Sequence, residues 1–349
     1  MNIYHSVFGG SGNVRAKAIV IYATLVAGNA LAWVCAWTLL SDKPTLFGAA
    51  ILAYVLGLRH AVDADHIAAI DNVVRKLVQD GQKPISAGFF FSLGHSTVVV
   101  LAVLAIASMA TAVHDRLGAL ISIGGTVGKT VSAALLLAIG SANLIVLAQI
   151  WNAFQRGPHE PLAIHEADTL GSPGGILARL CSPLFRAISR SWHMYPLGFL
   201  FGLGLDTTTE VSLLGISASQ SGGGQLLWSI LVFPALFAAG MTLIDTTDSL
   251  LMVRAYGWAL VNPVRKLWYN FTMTFTSIAV AIFIGGIQIV GLLVDNARLE
   301  GRLWRSIAGL GNDFTTFGFA IVGVFVAAWI LSAFAYRCGR IGVAAVRIA

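Results

Sequence analysis

Arg59 His60 Ala61 Val62 Asp63 Ala64 Asp65 His66 Ile67 is the stretch that decides how the chain is read, because it sets two imidazoles and two carboxylates beside an arginine in an otherwise apolar segment. A charged side chain at bilayer depth costs at least about 2.5 kcal/mol, so such groups face a polar interior, one another or a bound cation rather than lipid. A satisfied polar network between packed helices would meet that requirement too, but the density of titratable groups favours a cation site. Spacing adds a second constraint. On an α-helix His60 and His66 point about 120° apart, whereas a 3₁₀ turn would eclipse His60, Asp63 and His66. Either the helix is tightened or broken here, or another segment supplies the missing ligands.

Working outward, composition places this stretch in a membrane. Of 349 residues, 57% are hydrophobic and 11% charged, against about 25% charged for soluble proteins. The expected fold is an all-α polytopic membrane protein, residues 1–349 forming a single transmembrane domain. Its bundle of about eight transmembrane helices has spans at about 18–40, 46–70, 86–113, 119–150, 196–218, 226–253, 269–294 and 314–336, with a loop over 151–195. The first segment is too long for a signal-peptide core and lacks a small-residue cleavage site, so it is kept as a span. With eight spans, fifteen basic residues fall on the side of the termini, among them Arg75, Lys76 and Lys83 in the loop after span two, and five fall on the other side. By the positive-inside rule both termini are cytoplasmic. The net charge of +6 is therefore a topology signal, and no nucleic-acid partner is expected. Cys35, Cys181 and Cys338 are too far apart to read as a disulfide framework or a thiolate metal site.

Polar residues recur inside three more spans. Span three carries His95 among Ser92, Ser96 and Thr97; span five carries Asp206 and Glu210 at i, i+4; span six carries Met241, Asp245 and Asp248 on one helical stripe. The candidate metal ligands are His60, Asp63, Asp65, His66 and His95. Asp206, Glu210, Asp245 and Asp248 are assigned to a translocation path or to charge balance, since all the acids bound directly would overfill a six-coordinate shell. Asp65 is either a ligand or the carboxylate that orients an imidazole through its second ring nitrogen. Imidazole and carboxylate without thiolate suit a borderline divalent ion such as Ni²⁺, Co²⁺, Zn²⁺ or Mn²⁺ better than Cu⁺ or Mg²⁺. The run Gly124 to Thr130 imitates a phosphate-binding loop but is one residue short between its glycines and lies in an apolar span. No nucleotide-binding partner is therefore required, and the membrane potential is the obvious driving force. The histidines and acids of the 151–195 loop, such as His159, Glu160, His165 and Glu166, read as a solvated linker.

These residues, taken together, resemble the nickel/cobalt transporters called NiCoT. The second-span signature of that family, a histidine, four residues and then Asp-His, stands complete from Arg59 to Ile67. The third-span motif is similar to Phe91 Ser92 Leu93 Gly94 His95 Ser96 Thr97 Val98 Val99. The fifth resembles Leu203 Gly204 Leu205 Asp206 Thr207 Thr208 Thr209 Glu210, with Thr208 where alanine is usual. The sixth resembles Gly240 Met241 Thr242 Leu243 Ile244 Asp245 Thr246 Thr247 Asp248. The resemblance implies a permease, not an enzyme and without a prosthetic group, that takes up Ni²⁺ or Co²⁺ across the cytoplasmic (inner) membrane. Two other classes compete. A di-iron membrane enzyme would need tight histidine boxes, which are missing here. A metal efflux permease, or a metal-binding membrane component working with a separate ATPase, differs in direction or partner rather than in site.

Overall fold

The computed structural model describes residues 14–108, 188–203, 227–259 and 263–297, together with separate positions at 126–148, 213, 301, 304 and 316–330. Every regular element among the described residues is helical. In chain order the α-helices are α1 (Val14–Leu40), α2 (Pro44–His60), α3 (Ala64–Gln79), α4 (Ala87–Ser108), α5 (Met194–Gly202), α6 (Leu227–Ala259) and α7 (Pro263–Ala297), with a 3₁₀ turn at Ser191–His193 leading into α5. Proline opens α2 and α7, at the first helical position, where its missing N–H leaves no hydrogen bond unmade.

Four of these helices are long and apolar enough to cross a membrane, and α2 with α3 makes a fifth if that bent pair is one span. α1 spans 27 residues, about 40 Å at 1.5 Å per residue. Ile19, Val26, Leu31, Val34 and Trp37 stand exposed along it, a surface suited to hydrocarbon. Its inner side is fastened by Tyr22 Oη donating to Thr247 Oγ1 of α6 at 2.8 Å and by Tyr54 Oη of α2 donating to Asn29 Oδ1 at 3.0 Å. Positions described within 126–148 and 316–330 are helical.

Span two takes the broken form, one of the two alternatives its spacing left open. Instead of one helix to about residue 70, α2 stops at His60 and α3 starts at Ala64, with a bend of 50° between them. The turn is tightened by Val62 N–H donating to Arg59 O (3.0 Å) and Asp63 N–H to His60 O (2.9 Å), the i to i−3 pattern of a 3₁₀ turn. A Cβ added at Gly318 would overlap the carbonyl oxygen of Val62, so the turn lies in backbone contact with the segment around 318. Arg75 and Lys76, expected in a loop, belong to α3, and Arg75 is buried. The polar run from Asp71 ends the apolar pattern without ending the helix. The helix ends later, where Gly81 at φ 77 lets Gly81 N–H reach Val78 O and Gln82 N–H reach Leu77 O, a Schellman closure.

The helices carrying the polar stretch pack at backbone distance. A Cβ at Gly57 of α2 would overlap Phe237 O of α6, one at Gly88 of α4 would overlap Asp245 O of α6, and one at Gly94 of α4 would overlap Tyr195 O of α5. Small residues at helix crossings permit this approach, and van der Waals contact then supplies association that the hydrophobic effect does not supply in lipid. Between these crossings α3 is buried along nearly its whole length, only Asp65 and Lys76 of residues 64–78 being partly exposed.

Candidate metal centre

Three helices each deliver one imidazole to a common point. His60 is the last residue of α2, His66 lies in the first turn of α3, and His95 lies in the middle of α4. Their ring centroids form a nearly equilateral triangle of 4.6, 4.8 and 4.9 Å. One ring nitrogen from each falls within 4.8 Å of the others, and all three side chains are buried. The break at 61–63 makes this possible: redirecting the chain by 50° brings together two rings that a continuous α-helix would turn about 120° apart. Phe237 packs 5.4 Å from His60 and Phe91 4.9 Å from His66, ring to ring, giving the cluster apolar walls.

Carboxylates fix the ring orientations. Asp63 Oδ2 stands 3.1 Å from His60 Nδ1, and Asp245 Oδ2 of α6 stands 3.3 Å from His66 Nδ1. With Nδ1 directed at a carboxylate, the Nε2 of each ring is the atom presented to a ligand, an arrangement that also raises imidazole basicity. His60 Nε2 and His95 Nε2 are 3.0 Å apart. Asp63 caps α3 in backbone conformation only, at φ −63 and ψ 143 without a side-chain cap bond, because its carboxylate is turned to His60. Asp245 Oδ2 also accepts from Ser92 Oγ of α4 at 2.5 Å, while Asp245 Oδ1, buried, has no hydrogen-bond partner among the described residues. Such an orphaned oxygen costs on the order of 1–3 kcal/mol or more for a charged group, a cost that a bound cation would offset.

The expected site residues are thus placed unequally. His60, Asp63, His66 and His95 converge, and Asp245 joins them through His66. Asp65 is partly exposed and accepts from the backbone N–H of His66 through Oδ1 at 3.0 Å; the carboxylates on the imidazoles are Asp63 and Asp245 instead. A residue one step before His66 on a helix points about 100° away from it. Asp248, one turn beyond Asp245, is half-buried, and its Oδ2 has no hydrogen-bond partner among the described residues. Asp206, Glu210 and residues 151–187 of the long loop lie outside the described residues. Sequence reasoning passed over the polar face of α3 beyond Ile70, where Asp71, Asn72 and Arg75 are all buried. Their i, i+1, i+4 spacing continues the helix from His66 and was the available signal.

Fold and cluster first define a class: an all-helical, multi-pass membrane protein with a buried nitrogen-and-oxygen cluster of cation-ligating type between its helices. Residues 46–335 match the NicO family, described as high-affinity nickel-transport protein. The chain belongs to that family. It is 54% identical over 331 residues to a high-affinity nickel transport protein of Cupriavidus necator, covering 95% of this chain and 94% of that one. With the nickel transporter NixA of Staphylococcus aureus it shares 41% over 329 residues, 94% and 97% of the two chains. With the cobalt transport protein NhlF of Rhodococcus rhodochrous it shares 38% over 287 residues, 81% of each. No solved structure matches the chain.

Proposed function

We propose that the chain is a secondary permease that takes up Ni²⁺, Co²⁺ or both across the cytoplasmic membrane, with the metal held in transit by His60, His66 and His95. The convergence of three buried imidazoles from three helices carries this reading, and relatives named for nickel and cobalt transport supply the cargo. Asp63 and Asp245 orient two of the rings, and together their carboxylates balance the charge of one divalent ion.

Eight spans with both termini in the cytoplasm complete the reading, with Asp248, Asp206 and Glu210 along the path beside the cluster. Inward movement of a divalent ion is favoured by about 2 × 2.3 kcal/mol per 100 mV of interior-negative potential, roughly a thousandfold accumulation, so no prosthetic group and no nucleotide-hydrolysing partner are needed. Accumulation of radioactive Ni²⁺ and Co²⁺ by cells expressing this chain alone tests the proposal. Net efflux, or uptake only when a separate ATPase is supplied, overturns it.

A further inference from the structure

α3 carries buried polar residues for which the imidazole cluster has no direct use. Asp71, 1% exposed, accepts from the Tyr256 hydroxyl of α6 and, at 2.5 Å, from Ser277 Oγ of α7. Arg75, 2% exposed, donates Nη1 to Thr274 Oγ1 of α7 at 2.7 Å and Nη2 to Asn72 Oδ1 at 2.9 Å. Asn72 Oδ1 also accepts from Asn143 Nδ2 at 2.5 Å. One face of α3 is thereby bonded to α6, to α7 and to the segment holding Asn143.

The helices of the other two imidazoles meet their neighbours at backbone distance: α2, bearing His60, meets α6 at Gly57, and α4, bearing His95, meets α6 at Gly88 and α5 at Gly94. Van der Waals packing holds these crossings, joined between α4 and α6 by Gly88 N–H donating to Ser249 Oγ at 2.7 Å and by Ser92 Oγ donating to Asp245. α3 reaches α2 through the bent turn at 61–63, and away from His66 it shares an apolar cluster with Leu250 and Val253 of α6 and Ile284 of α7, to which the side-chain hydrogen bonds of Asp71 and Arg75 add directional fastening. Such bonds can be broken and remade while the helix stays intact. Five residues separate His66 from Asp71, about 7.5 Å along one rigid helix, so a displacement at Asp71 is carried to His66. Metal–ligand distances tolerate only about 0.2 Å.

We propose that Asp71 and Arg75 are positioning residues for the metal site: bonded to Tyr256, Thr274 and Ser277, they hold α3 against α6 and α7 and so keep His66 in register with His60 and His95. Loosening these bonds displaces α3 and, with it, His66 from the ligand set. The inference rests on the reading of the three imidazoles as the metal site.

A double-mutant cycle on the purified full-length protein tests it, with Ni²⁺ titrated calorimetrically. Tyr256→Phe and Ser277→Ala each remove one donor to Asp71 with little change in packing, and each is made alone and together with His66→Ala. Each alone is expected to weaken Ni²⁺ binding about tenfold, equivalent to about 1.4 kcal/mol, and to add less than about twofold once His66 is absent, since the effect is transmitted through that ring. Unchanged affinity in both single variants overturns the proposal. So does an equal loss with and without His66, the signature of general loosening of the bundle. If His66→Ala alone leaves Ni²⁺ affinity intact, the site reading itself falls, a result read separately from the two donor variants, and the positioning role falls with it.

Discussion

Asp63→Asn separates a carboxylate that binds metal from one that aims an imidazole. Asp63 Oδ2 lies 3.1 Å from His60 Nδ1, and both side chains are buried. An asparagine keeps a carbonyl oxygen at that place, so the Nδ1–H of His60 retains an acceptor and Nε2 still points into the cluster. The substitution removes the negative charge that raises ring basicity and helps neutralise the cation. Loss of such an orienting partner typically weakens metal binding about 10–100-fold, or about 1.4–2.8 kcal/mol. The same loss is visible in stability. A ligand at 100 times its dissociation constant stabilises the folded state by about 2.7 kcal/mol. At the same Ni²⁺ concentration the variant would retain about 1.4 kcal/mol if binding is tenfold weaker and about 0.4 kcal/mol if hundredfold weaker. Calorimetric titration of Ni²⁺ and the Ni²⁺-induced rise in melting temperature therefore give two readings of one quantity. Asp65→Asn is the control, expected within about threefold of the parent because its Oδ1 meets backbone. Parent-like affinity in Asp63→Asn would refute the orienting role. Loss as complete as in His60→Ala, in a protein that still folds, would show that Asp63 binds the ion itself.

His60→Ala and His66→Ala are each expected to abolish Ni²⁺ uptake into cells at parent abundance in the membrane, and normal uptake by both would remove the imidazole site. Ser92→Ala deletes the 2.5 Å bond to Asp245 and should weaken Ni²⁺ binding by about ten- to a hundredfold, the range of one hydrogen bond to a charged group; unchanged affinity in calorimetry would argue that Asp245 is held by other contacts. Gly88→Ala forces a Cβ onto the carbonyl oxygen of Asp245, and overpacking of this kind costs about 1–3 kcal/mol. Its melting temperature in detergent should fall, and a parent value would mean that α4 and α6 separate at little cost. In proteoliposomes, initial Ni²⁺ uptake should drop when a K⁺ ionophore collapses an interior-negative potential at constant pH. Uptake indifferent to voltage but dependent on an imposed pH gradient would assign the driving force to protons.

What could be read from sequence divides along a physical line. The membrane class and the cluster were legible because both are local: hydrophobic runs report burial in lipid directly, and His60, Asp63 and His66 are close along the chain. That either a break or ligands from another segment were required was legible too, since about 120° between two rings is a property of the regular helix; the structure has both, the break at 61–63 and His95 of α4. The pairing of carboxylates with rings was not. Asp65 adjoins His66 in sequence, yet Asp245, 179 residues away, takes its Nδ1, because the close approach of α4 and α6 at Gly88 decides which acid arrives. That the helix runs on to Gln79, beyond the apolar pattern, was hidden for a related reason. Hydropathy marks the boundary with water only where polar residues face water, and Asp71, Asn72 and Arg75 face one another and Tyr256, Thr274 and Ser277 inside the bundle. Arg75 is thus a buried structural cation rather than a topology signal. Removing it leaves fourteen basic residues against five, so the expected orientation is unaffected. Arg75 carries information about the interior of the bundle, where its partners lie on α7 and on α3 itself.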